Sequence, residues 1–159
     1  MKLREFIVSE AVIADLQAKD RDGAIRELVT SLAKTDALPA DAVDEVVAAL
    51  IKRETNGSTG FGKGVAVPHC RHAKVRKMAG TIGRSESGID FSALDHQPVY
   101  SVVLLLSPEN QPQQHIQAMD VVFTNLQDDM FRKFLRQSKT SAMILDLLDE
   151  ADQKKAAKV

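Results

Sequence analysis

With 159 residues, 44% apolar and 27% charged, the chain has the size and composition of one globular domain. Its 21 basic residues stand against 22 acidic ones, a net charge of −1, which excludes the strongly basic balance of a nucleic-acid binder. The single cysteine, Cys70, excludes an internal disulfide, and no apolar run nears the ~18 residues that cross a bilayer.

Residues 1–5 lack the apolar core of a secretory signal, so the expectation is a cytoplasmic protein without membrane insertion. Residues 11–16 predict a short strand. Asp20 or Asp22 is placed to cap a helix in which Ile25, Leu28, Val29 and Leu32 share one face. Pro39 suits the first turn of a second helix. Val43, Val46, Val47, Leu50 and Ile51 define its apolar face, and it should end near Arg53.

The stretch 53–69 then reads R-E-T-N-G-S-T-G-F-G-K-G-V-A-V-P-H. Gly57, Gly60, Gly62 and Gly64 are half of the chain's eight glycines, so a loop with unusual backbone geometry is predicted here. Residues 65–67 form a short apolar strand that Pro68 ends, and His69 leaves the strand end beside the loop. Further on, residues 78–83 predict a strand and residues 88–97 a turn-rich segment. Residues 102–106 are continuously apolar and of strand length, which suits a central strand buried on both faces. A polar loop over 107–114 precedes a helix opened by His115, with Ile116, Met119, Phe123 and Leu126 facing inward. Asp128 or Asp129 caps a helix holding Phe131, Phe134 and Leu135, and Ile144, Leu147 and Leu148 mark the last helix. The elements predict an α/β domain over 1–150, followed by a charged, disordered tail over 151–159.

The pattern R-E-x-x-G-S-T-G-x-G-x-G-[VI]-A-[VI]-P-H resembles the enzyme IIA domains of the fructose–mannitol class of the bacterial phosphotransferase system. Within that class it looks most like the nitrogen-type regulatory member. The resemblance implies a mixed central β-sheet sandwiched between α-helices. It also implies that His69 accepts a phosphoryl group from an HPr-type phosphocarrier. An enzyme IIB domain or a regulated target protein is the implied acceptor, and no cofactor is expected.

The residue chemistry fits that role. A phosphoryl-accepting histidine needs one bare ring nitrogen and an acceptor fixing the proton on the other. Charge on the transferred group calls for donors around it. The loop around Gly60 offers backbone N–H groups, and Ser58 and Thr59 offer hydroxyls. Arg53 carries a guanidinium fork suited to phosphate, although a basic residue also complements a helix C-terminus. By resemblance His115 steadies the phosphoryl group; the alternative is an exposed polar residue in a first helical turn. Phe61 reads as a docking contact for the donor or as a side chain packed on the second helix. His69, Cys70 and His72 invite a metal reading, but no second cluster has zinc-like spacing. The loop also lacks the G-K-[ST] of a nucleotide-binding P-loop. Two functions stay open: a phosphocarrier acting in trans, or a regulatory module whose phosphorylation state selects partners without onward sugar phosphotransfer.

Overall fold

The apolar run at 102–106 builds the middle of the strand with which all the others pair. The computed structural model describes residues 1–157, with helices α1 (Arg21–Ala33), α2 (Val43–Thr55), α3 (Pro112–Leu126), α4 (Asp129–Gln137) and α5 (Ser141–Ala157). Its strands are β1 (Val65–Ala66), β2 (His69–His72), β3 (Ala79–Ile89) and β4 (Val99–Pro108). β3 lies antiparallel on one side of β4, with Thr81 opposite Leu104. β1 and β2 lie parallel on the other side in one continuous register, Ala66 opposite Val102 and His69 opposite Leu105. They are a single strand interrupted at Val67 and Pro68. The sheet is therefore mixed, as expected.

Alternation along β4 explains its composition. Val102, Leu104 and Leu106 belong to the core beneath α1 and α2, whereas Val103 and Leu105 belong to the core beneath α3, α4 and α5. A strand covered on both faces has no polar side, so every position from Val102 to Leu106 is apolar. The Asp20 carboxylate caps α1 by accepting from the Gly23 amide at 2.7 Å. Ile25, Leu28, Val29 and Leu32 are fully buried, as their spacing predicts. Where α1 crosses the sheet, a Cβ on Gly83 would sit 2.8–2.9 Å from Leu16 and Leu28, so only glycine lets the layers close.

Several expectations are corrected. Residues 11–16 form no strand: a 3-10 turn at Ser9–Ala11 lies between single parallel bridges to β3 at Ile7–Gly80 and Ile13–Gly83. Ala11 and Leu16 are drawn into the core, which breaks continuous pairing. The predicted 107–114 loop shrinks, because β4 runs to Pro108 and α3 begins at Pro112, one turn before His115. On α3 the buried positions are Ala118, Val121, Val122 and Leu126, whereas Ile116 is 66% exposed. Small Ala118 permits close approach to the sheet. Asp128 caps α4, which buries Phe131 and Leu135 but leaves Phe134 exposed.

The expected boundary at 150 falls inside α5. Residues 151–157 are helical, while 158 and 159 lie outside the described residues. The cause is Asp152, which is buried and accepts from the amides of Leu3 (2.8 Å) and Arg4 (3.1 Å). This clasp joins the two ends of the chain. Removing the carboxylate strands two backbone donors, at a cost of about 2–3 kcal/mol. Asp152→Ala should lower Tm by about 5–10 °C. A shift under about 1 °C in calorimetry would show that the clasp carries no stability.

Candidate functional site

Pro68 has no N–H, and the β1–β2 ladder breaks around it. The Pro68 carbonyl still accepts from the Leu105 amide at 3.0 Å. The Val67 carbonyl instead turns to the next side chain and lies 2.7 Å from Nδ1 of His69. A carbonyl can only accept, so Nδ1 carries the proton. Nε2 is left with its lone pair, the form a nucleophilic imidazole requires.

His115 reaches the same place from the first turn of α3. The two imidazoles lie 5.6 Å apart between centroids, tilted by 41°. Nδ1 of His115 is 2.7 Å from the hydroxyl of Ser107, a fully buried residue near the end of β4. Burial pulls the His69 pKa below its ordinary value, and the Arg53 charge adds to this, while the Val67 bond and Glu54 oppose it. His115 is pulled down to about 4 by burial first, then by His69 and Arg71. Both rings are neutral near pH 7.

Two guanidinium groups flank the pair. Arg53, in the last turn of α2, is exposed and donates to the Gly57 carbonyl at 2.8 Å. Arg71 lies two residues beyond His69 on β2 and donates to the Glu109 carbonyl at 3.2 Å. The motif singles out Arg53 but misses Arg71. Strand alternation is the signal that would have found it, since i and i+2 share a face.

The glycine-rich loop is braced from within. Glu54 is 3% exposed and accepts from both the amide and the hydroxyl of Thr59. The Ser58 hydroxyl donates to the Phe91 carbonyl and accepts from the Gly60 amide, both at 3.0 Å. The Gly60 carbonyl accepts from Leu94 at 2.7 Å. A Cβ on Gly60 would meet that of Ala93 at 2.9 Å. The donors of Ser58, Thr59 and Gly60, expected to face a phosphate, are thus engaged in holding the loop. Glu54 reads from the sequence as a structural or tautomer-setting residue, and it braces the loop; Ser107 is a supporting residue that the sequence reading did not place.

Phe61 is half-buried, its ring 5.3 Å from that of Phe123. It fastens the loop to α3; it neither stands free for docking nor packs on α2. Cys70 turns to the opposite face of β2, against the core of α1 and α2, and burial pushes its thiol up to about 12. His72 also faces α2, 3.9 Å from Glu45. His69, Cys70 and His72 therefore do not converge.

The lowered pKa values set a pH dependence. The unfolded chain binds more protons than the folded one between the ordinary 6.5 and about 4, so stability falls as pH drops through that window. His115→Gln should flatten this loss when denaturant unfolding is compared at neutral pH and near pH 4.5. In wild-type protein, NMR titration should find His115 neutral until about pH 4. A His115 that titrates at 6.5 or above would contradict the buried, cation-flanked site.

The chain matches the family described as "Phosphoenolpyruvate-dependent sugar phosphotransferase system, EIIA 2" over residues 5–151. It is 34% identical over 148 residues to a nitrogen regulatory protein of Bradyrhizobium diazoefficiens, covering 93% of this chain and 95% of that one. It is 31% identical over 154 residues to the fructose-specific EIIABC component of Bacillus subtilis strain 168. That match covers 96% of this chain and only 24% of the larger protein. The crystal structure of nitrogen regulatory protein IIA-Ntr from Neisseria meningitidis superposes with a TM-score of 0.80 at 27% identity, covering 91% of this chain and 97% of that one. This chain belongs to the EIIA 2 family of the phosphoenolpyruvate-dependent sugar phosphotransferase system.

Proposed function

We propose that the protein is a phosphohistidine carrier in which Nε2 of His69 takes a phosphoryl group from an HPr-type donor. The observation that carries this reading is the 2.7 Å contact between Nδ1 of His69 and the Val67 carbonyl, which leaves Nε2 bare. In the transfer, the Nε2 lone pair attacks phosphorus as the donor's P–N bond breaks. The bonding pair returns to the donor imidazole. The proton on Nδ1 stays in place, because the Val67 carbonyl stabilises the positive charge that develops on the ring.

Arg53 and Arg71 supply positive charge for the equatorial oxygens. With Ser107 donating to Nδ1 of His115, the proton of that ring sits on Nε2, ready to donate to a phosphoryl oxygen. Ser58, Thr59 and Gly60 act by fixing the loop beside the acceptor. The phosphoryl group then passes to an enzyme IIB domain, or the phosphorylated form is read by a regulated protein. The regulatory reading draws support from the nitrogen regulatory relative, which matches nearly end to end. Such a chain works in trans in the cytoplasm. No described helix is long and apolar enough to cross a membrane.

Incubation with enzyme I, HPr and phosphoenolpyruvate should add one phosphoryl mass, labile in acid and stable in base. His69→Ala should abolish it; stoichiometric labelling of that variant would sink the assignment. His115→Ala should leave the label on His69 but slow its arrival by about one to two decades, the equivalent of roughly 1.5–3 kcal/mol for a charged hydrogen bond. An unchanged rate in stopped-flow transfer would remove His115 from the mechanism. Adding IIB domains to the phosphorylated protein separates onward transfer from a purely regulatory role.

A further inference from the structure

A second charged site lies outside the histidine pair. Between the glycine-rich loop, the end of β3 and α4 there is a recess of about 500 Å³. Its lining includes Lys63, Arg84, Arg132, Lys133, Arg136 and Lys139 against only two carboxylates, Glu86 and Asp129. The chain as a whole carries −1, so positive charge is concentrated here. The two carboxylates are already used: Glu86 pairs with Arg84 at 2.7 Å, and Asp129 pairs with Arg132. Among the described residues, no carboxylate lies within 4.0 Å of the side-chain nitrogens of Lys63, Lys133, Arg136 or Lys139, although the Lys63 amide donates to Asp95 at 3.2 Å.

The recess is also built rather than incidental. Arg84 is 5% exposed, and its guanidinium donates to the carbonyls of Ala14 (3.1 Å) and Arg136 (3.0 Å). A buried cation is costly to desolvate, and this one is held in place by three acceptors. The Arg136 guanidinium lies 3.6 Å over the Tyr100 ring, which orients its plane. Lys63 sits in the left-handed region, at φ 61°, where a non-glycine residue is strained. These contacts hold the Arg84 and Arg136 guanidinium groups in place before any ligand arrives.

We propose that this recess binds a small multivalent oxyanion of the phosphate class, such as a diphosphate or a phosphate monoester. Guanidinium forks and lysine point charges together suit tetrahedral oxyanions. The volume falls in the range of small-molecule sites, roughly 300–1,000 Å³. A protein partner would need an apolar centre, and no apolar residue lines the recess. Because Lys63 belongs to the loop beside His69, occupancy there bears directly on the loop that frames the acceptor.

The test is titration of the full chain with inorganic pyrophosphate at low salt, followed by calorimetry and by amide NMR shifts. Inorganic phosphate and a short polyglutamate peptide serve as comparisons. Saturable pyrophosphate binding is expected, at least tenfold tighter than phosphate, with shifts at Lys63, Lys133, Arg136 and Lys139. Lys133 and Lys139 are both exposed, so Lys133→Glu with Lys139→Glu should leave folding intact and weaken binding at least tenfold. The corresponding pair of glutamine substitutions should give an intermediate loss. His69 phosphorylation without the anion should be unchanged in both. Arg53→Ala should leave pyrophosphate affinity unaffected. The proposal is overturned if binding does not saturate or survives the charge reversal. It is equally overturned if binding is lost in Arg53→Ala, or if polyglutamate binds where pyrophosphate does not.

Discussion

The hydrogen bond from Nδ1 of His69 to the Val67 carbonyl is the contact on which the site depends. Its origin is strand alternation at an edge. β1 and β2 share one register on β4, and the Pro68 carbonyl between them accepts from the Leu105 amide. The Val67 carbonyl therefore points to the other side, away from β4, where it meets the ring of His69.

Around that contact the electrostatics favour neutral rings and suit an anion placed beside them. Burial disfavours the charged form of both imidazoles, and Arg53 and Arg71 add to it. The same cations that keep the rings unprotonated would stabilise a phosphoryl dianion placed between them. The supporting shell is rigid for a separate reason. The buried Glu54 carboxylate organises Thr59, and the Ser58 hydroxyl ties the loop to the segment after β3. The ring of Phe61 on Phe123 ties it to α3. The loop is rich in glycine, yet it is anchored along its length.

Much of this was legible in the sequence. The apolar run of β4 and the faces of α1 and α2 follow from periodicity, because these elements bury large side chains at regular spacing. The glycine pattern and Pro68 marked the loop and delivered His69. The face of α3 was misread because large side chains such as Ile116 weigh more than Ala118, although a helix close to a sheet selects small residues. The hydroxyls of Ser58 and Thr59 bond Phe91 and Glu54, a use the sequence does not show, because only the fold brings these partners to them. Arg71 was missed although strand alternation places it beside His69, whereas Ser107 and Asp152 depend on contacts between different elements, which periodicity does not reveal. The α5 extension is one of these: a helix that looked like a charged tail is fixed by hydrogen bonds to Leu3 and Arg4.

Whether the Val67 carbonyl selects the nitrogen of His69 that reacts is tested most directly by long-range proton–nitrogen NMR on labelled protein, before and after phosphorylation with phosphorus coupling observed. The expected result is a proton on Nδ1 of His69 in both states and phosphorus bonded to Nε2. Phosphorus on Nδ1, or on any residue other than His69, would contradict it.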